Sequence, residues 1–263
     1  MHIECNWLSL EKIHTSGQCF RWVKKDDGSF IVPAFGSELT LKQESGSEIF
    51  LSCSEDEFRD IWHDYFDLGF DYAYHAVNAA GNIQSDYLYD AIKSAIGVRI
   101  LRQDLWETVV SFIISANNNI PRIRKIISAL CEPFEGRFPD AKELFDMGME
   151  KIRSCGTGFR DKYLYDAASF FLSHDVKADL SGADYPQAKE YLKRIKGVGN
   201  KVADCVCLFG LGYRDAFPRD VHIKRIESEH FNGRFPEEKS LGGAGILQQY
   251  LFYYEREKNN TLN

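Results

Sequence analysis

The 263-residue sequence has no apolar run approaching the roughly 20 residues that a membrane-spanning helix needs. Its opening, MHIECNWLSL, lacks the basic, apolar and small-residue order of a signal peptide. Cysteine is present but unorganised. Seven residues (5, 19, 53, 131, 155, 205 and 207) form an odd, scattered set whose one close pair is Cys205 and Cys207, and no spacing suits zinc. Reduced thiols in a cytosolic protein are the simplest account. There is no low-complexity linker and no internal repeat, and any loose tail is confined to about the last six residues. Positive charge is in deficit, with 32 Lys and Arg against 39 Asp and Glu and a net charge of −7, which argues against general coating of nucleic acid.

The charge that is present is unevenly placed. Residues 190–226 carry eight Lys and Arg against four Asp and Glu, whereas residues 43–75 hold nine acids and one arginine. Segments 117–125 and 151–163 each add a net +3. Positive charge kept to a few segments suits local docking of a polyanion, and the acidic remainder serves solubility. With 44% hydrophobic and 14% aromatic residues, the chain is able to bury a large core and to hold two domains.

The pattern changes once along the chain. Residues 1–54 read as short strands at Phe20–Val23, Ser29–Pro33, Leu39–Lys42 and Ile49–Ser52, with turns at Asp26-Asp27-Gly28, Gly36 and Gly46. Phe58, Ile61, Trp62 and Tyr65 make a helical stripe behind a Ser54/Glu57 capping box. From about Ile83 the period is helical. Leu101, Leu105, Val109 and Ile113 form one strip ending at Asn117-Asn118-Asn119, and Pro121 opens the next helix. Further helices are expected around Leu144, over Tyr163–Leu172 and over Gly245–Tyr254. The expected class is α+β, an antiparallel β domain over residues 1–82 followed by an all-α body over 83–263.

Within that body, residues 186–210 read as helix, tight turn, helix. Tyr191, Leu192 and Ile195 lead to Gly197-Val198-Gly199, and Val202, Ala203, Val206 and Phe209 give the second helix a buried face, with Asn200 as its expected cap. The glycines bare the backbone, and the first turn leaves amides unpaired, so an anion such as a DNA phosphate is able to dock there. Lys201 lies in that turn, Cys205 is one turn later on the same face, and Asp220 follows nineteen residues after Lys201. An amine and a carboxylate beside a phosphate dock suit covalent catalysis. Taken singly, each has an ordinary reading: a lysine is usually solvated and an aspartate before a helix is usually a cap.

In order and at this spacing, these residues resemble the helix-hairpin-helix DNA glycosylase superfamily in its lysine-bearing, bifunctional branch. Gly17-Gln18-Cys19-Phe20-Arg21-Trp22, the stretch Gly97–Asn119 and Gly245–Phe252 narrow the resemblance to the 8-oxoguanine DNA glycosylase family, across nearly the whole chain. That resemblance implies a base flipped out of duplex DNA into a pocket. Lys201 would attack the sugar and Asp220 would assist, burial and the adjacent helix N-terminus both favouring the free amine. Phe252 would stack on the base with Cys205 on its other side, Gln248 would bond its pairing edge, and the Gly17 carbonyl would meet the N–H that oxidation adds to the purine ring. Gln248 and Phe252, four apart, share a helix face. Asn117 would fill the gap in the stack, Phe159 would wedge it, and Arg122 and Arg160 would read the orphaned cytosine. Gly197, Gly199 and His222 would contact phosphate.

Each has its structural alternative: a turn glycine for Gly17, core for Phe252, a helix terminus for Asn117, phosphate contact for the arginines and a helix start for His222. No redox cofactor or metal is needed. A double-stranded DNA partner, a monomer and a prokaryotic, cytoplasmic setting are expected. Endonuclease III and adenine glycosylases usually place four cysteines after the aspartate, and no cysteine follows Cys207 here.

Overall fold

The structure, a computed structural model, describes residues 1–261, with side chains to Lys258. The chain forms two compact units, one of Met1–Arg102 with Gly212–Asn263, the other of Gln103–Leu211. Within the described residues, no helix is long and apolar enough to cross a membrane.

Unit 1 begins with a five-stranded antiparallel sheet of β1 (His2–Glu4), β2 (Val23–Lys24), β3 (Phe30–Ala34), β4 (Ser37–Gln43) and β5 (Glu48–Leu51), in the order β1-β5-β4-β3-β2. Period-two alternation sets its inner face: Phe30, Val32, Leu39, Leu41, Ile49 and Leu51 are buried against Leu10, Ile13, Trp62 and Phe66. Three features depart from the sequence reading, the first being β1 itself, which is not among the expected strands. Phe20–Trp22 are not strand, because Phe20 and Trp22 turn inward as core plugs. The first 54 residues also contain a helix, α1 (Leu10–Thr15), with Ser9 Oγ accepting the Lys12 N–H as its cap. Beyond the sheet, α2 (Glu55–Glu57) and α3 (His63–Tyr65) are joined by a π-helical turn at Phe58–Trp62. Helical structure then resumes earlier than the expected Ile83, in α4 (Tyr72–Ile83, capped by Asp71) and α5 (Asp86–Ala95, capped by Ser85).

Unit 2 is helical throughout: α6 (Leu105–Ser115), α7 (Ile120–Cys131), α8 (Ala141–Ile152), α9 (Asp161–Ser173), α10 (Val176–Asp179), α11 (Tyr185–Leu192) and α12 (Asn200–Phe209). Asp104 caps α6 and Asn119 caps α7, so Leu101 lies outside the strip expected of it and Pro121 sits in a first turn that needs no proline N–H.

The chain then returns to unit 1 with α13 (Val221–His230) and α14 (Ala244–Thr261). The return is fastened by charge. Asp67, 3% exposed, accepts from Arg214 at 2.5 and 2.9 Å, from Arg102 at 3.2 Å and from the Tyr72 hydroxyl at 2.8 Å. Beside it, buried Arg99 donates to the carbonyls of Trp7, Phe66, Asp67 and Phe70. A buried carboxylate met by two guanidinium groups and a hydroxyl has its lone pairs filled, the condition for burying it at all. Helix α14 runs past the expected end at Tyr254, and the loose tail expected there falls partly outside the described residues. The fold is α+β, an antiparallel sheet followed by helices.

Candidate active site

In unit 2 the hairpin forms between α11 and α12. Helix α11 stops at Leu192, so Ile195 belongs to the turn and reaches the core from there. Gly197 has φ +88°, and a Cβ on it would lie 2.7 Å from Cγ of Tyr163, so only glycine fits. The cap of α12 is Gly199 rather than Asn200: the Gly199 carbonyl accepts the Ala203 N–H at 2.9 Å, and the cap makes no side-chain hydrogen bond to the first turn. That arrangement leaves the leading amides of α12 open to an anion.

Lys201 stands in this first turn, half-buried, with Nζ 5.2 Å from the Phe112 ring centroid. Cys205, one turn on, is buried. The hairpin's second helix carries a buried carboxylate that the sequence reading passed over. Asp204 pairs with Lys189 Nζ at 2.7 Å and accepts the Tyr185 hydroxyl at 2.5 Å, clamping α12 to α11. An acid in the apolar run Val202–Phe209 was the available signal, since burial there demands partners. Burial, reinforced by that carboxylate, pushes the Cys207 thiol up to about 12, which keeps it protonated and inert at neutral pH.

A second cluster in unit 2 joins the α6–α7 turn to the segment before α9. Asn117 is exposed with φ +51°, a left-handed residue in the turn. Arg160, 6% exposed, donates through Nη2 to the carbonyls of Ala116 and Asn117, and its guanidinium lies 4.5 Å from the Phe159 ring centroid. Phe159 is 60% exposed, a large apolar ring in solvent. Arg122 is exposed in the first turn of α7. Burial, and then the charge of Arg122, lower the pKa of Arg160 from its ordinary value. Two guanidinium groups brought close enough to repel make a site for acceptor-rich ligands. The structure thus gathers Asn117, Arg122, Phe159 and Arg160 into one cluster.

Unit 1 holds the other candidates. Asp220 is the cap of α13, its Oδ1 accepting the Ile223 N–H at 2.9 Å, so its structural reading holds whatever else it does. His222, on the first turn of α13, meets Phe252 of α14 edge-on with ring centroids 5.9 Å apart. Phe252 is only partly buried and is not part of the core. Gln248, one turn earlier, is 5% exposed, and its Oε1 meets no donor among the described residues. A buried amide oxygen left open suits a ligand that brings the N–H. Gly17 has φ +82° in the turn after α1. Lys201 belongs to the unit of Gln103–Leu211 and Asp220 to the other.

Residues 2–109 match the model of the 8-oxoguanine DNA glycosylase N-terminal domain, and residues 110–240 match that of the HhH-GPD superfamily of base excision DNA repair proteins. An N-glycosylase/DNA lyase of Saccharomyces cerevisiae is 32% identical over 260 residues, which cover 85% of this chain and 68% of that protein. The chain belongs to the 8-oxoguanine DNA glycosylase family. It is accordingly a base excision repair enzyme, a DNA N-glycosylase and lyase. Among solved structures, the MBOgg1 complex with a low affinity DNA ligand superposes with a TM-score of 0.89 and 38% identity, covering 98% of this chain and 96% of that one. The 8-oxoguanine glycosylase/lyase of Clostridium acetobutylicum, bound to duplex DNA with cytosine opposite 8-oxoguanine, gives 0.85 and 32%, covering 98% and 94%.

Two further positions of this glycosylase escaped the sequence reading. Gln249 and Arg256 of α14 reach back to the Ser16 and Thr15 carbonyls beside Gly17. Contacts spanning more than two hundred residues leave no local trace, and only the polar character of Gln249 on an otherwise apolar face hinted at a partner.

Proposed function

We propose that the protein excises 8-oxoguanine from duplex DNA, preferably opposite cytosine, with Lys201 as nucleophile and Asp220 as its assistant. The amine of Lys201 attacks C1′ of the flipped nucleoside, and the bond to the base breaks with its electron pair leaving on the base. Opening of the sugar gives an imine, which acidifies the C2′ proton. Loss of that proton expels the 3′ phosphate by β-elimination. Asp220 keeps one oxygen on the α13 cap, and its charge stabilises the positive charge developing on the sugar. Gln248 and Phe252 hold the base, the Gly17 carbonyl accepts its oxidation-derived N–H, and Asn117, Phe159, Arg122 and Arg160 fill the gap and read the partner. The hairpin amides at Gly197 and Gly199, with His222, hold phosphate. The protein acts as a monomer.

The observation that carries the reading is the half-buried Lys201 amine set in the first turn of a helix whose glycine cap makes no side-chain bond to its leading amides. Its test is borohydride trapping on duplexes carrying one 8-oxoguanine opposite each base in turn. A covalent adduct should form best opposite cytosine and vanish in Lys201→Gln, while lesion binding persists. Undiminished trapping by Lys201→Gln would sink the assignment.

A further inference from the structure

The Gly17 turn is held from both sides. Upstream, Arg256 Nη1 donates to the Thr15 carbonyl at 2.6 Å and Gln249 Nε2 to the Ser16 carbonyl at 2.8 Å. Downstream, buried Gln18 donates to Ser16 Oγ at 3.0 Å and to the Arg99 carbonyl at 2.8 Å, and accepts the Leu101 N–H at 2.8 Å. Between these anchors Gly17 sits at φ +82°. The Ser16 carbonyl belongs to the peptide entering Gly17, and the Gly17 carbonyl belongs to the peptide leaving it toward Gln18. Moving the turn, and the Gly17 carbonyl with it, therefore means breaking one of these buried bonds.

The upstream tethers come from α14. Gln249 directly follows Gln248, and Arg256 stands one turn beyond Phe252, its guanidinium 5.7 Å from that ring centroid. A helix is stiff over two turns, with a rise of about 1.5 Å per residue. The groups proposed to grip the base and the side chains that pin the Gly17 turn are thus fixed to one rod.

We propose that Gln249, seconded by Arg256, is a specificity-positioning residue: it sets how closely the Gly17 carbonyl approaches the edge of the base held by Gln248 and Phe252. The inference rests on the proposed role of Gly17 in reading the lesion. In 8-oxoguanine that carbonyl meets an N–H. In guanine it meets a ring-nitrogen lone pair at the same position, and the clash discriminates only if the carbonyl is unable to retreat. A tether that prevents retreat sharpens the choice without touching the base.

The test uses duplexes with 8-oxoguanine, guanine or a tetrahydrofuran abasic analogue at one position, bound by the full chain carrying Lys201→Gln so that nothing is cut. Gln249→Met keeps length and volume but removes the donor. It should lower the 8-oxoguanine to guanine affinity ratio about tenfold, as loss of one buried hydrogen bond would, with abasic binding changed by less than about twofold. Arg256→Met, at a half-exposed position, should move the ratio in the same direction and serves if Gln249→Met melts too early to assay. A ratio unchanged in the folded variants, or an equal loss on all three duplexes, overturns the proposal. A parent protein with no preference for 8-oxoguanine would instead overturn the lesion reading on which the inference stands.

Discussion

Lys189 of α11 and Asp204 of α12 form an ion pair of 2.7 Å in which the carboxylate is buried and the lysine is three-quarters covered. The pair and the Tyr185 hydroxyl fix the angle between the two helices of the hairpin. Removing one member of a buried pair is expensive because the other is left without compensation. Lys189→Met should therefore cost about 3 kcal/mol, the low end for such pairs because water reaches the lysine. Urea denaturation measures this. A loss under about 1 kcal/mol would mean that Tyr185 alone satisfies the carboxylate.

Asp220→Asn separates capping from chemistry. Asparagine caps as well as aspartate, so the melting temperature should stay nearly unchanged, whereas Asp220→Ala should lose about 1 kcal/mol. Base excision should fall by at least about a hundredfold in both, since both lack the carboxylate. Single-turnover excision beside thermal melting decides it. Wild-type excision by the asparagine variant would leave Asp220 as a cap alone.

Phe252 is only partly buried, and the buried Gln248 keeps an Oε1 that meets no donor among the described residues, which gives their proposed roles a differential signature. Phe252→Ala should weaken binding to an 8-oxoguanine duplex by about 1–3 kcal/mol, the range for a base stacked on a ring. Gln248→Ala should act in the same direction. Neither should much alter binding to an abasic duplex, which has no base to hold. Titration of the two duplexes checks this, and equal losses on both would assign the residues to packing.

Arg160 is tethered by one nitrogen to the Ala116 and Asn117 carbonyls, which fixes the plane of its remaining donors, while Arg122 is free to approach from solvent. Cytosine's pairing edge offers two acceptors and adenine's offers one. An unpaired charged donor costs about 1–3 kcal/mol, so excision opposite cytosine should outpace excision opposite adenine at least about tenfold. Arg122→Ala and Arg160→Ala should each shrink that ratio. Single-turnover rates on the two duplexes are the measurement, and variants that slow both equally would place the arginines on phosphate.

The sheet was legible because Leu39 and Leu41 alternate with Glu38, Thr40 and Lys42, while β-branched and aromatic residues crowd β3 and β5. These three strands end within two residues of expectation, whereas β1 was not expected and Phe20–Val23 is strand only at its end. Helix α1 was hidden because its six residues complete too few turns to show a period. Helix α4 was missed because its small and polar residues, Ala73, His75, Asn78 and Gly81, dilute the stripe. Hairpin, lysine and aspartate could be located from spacing, since glycine and first-turn positions are local matters. The cap of α12 was misread, for Asn200 is the better capping side chain but Gly199 has the extended backbone that a cap requires. What spacing had no means of conveying was support from afar: Asp67 holding Arg214, and α14 holding the turn before Gly17.

Those last bonds bear on how the protein is made. Ser16 and Gln249 are 233 residues apart, and Asp67 and Arg214 are 147 apart. A ribosome delivers the amino-terminal partner of each bond long before the carboxy-terminal one. During that interval Asp67 has only Tyr72 and Arg102 for partners, and the Gly17 turn lacks its tethers from α14. A message cut short after Leu211 would leave Gln103–Leu211 a full set of its own helices and still yield a protein whose first hundred residues never meet Arg214, Gln249 or Arg256. Proteolysis of such products should begin at the amino-terminal end of the chain, far from the truncation itself.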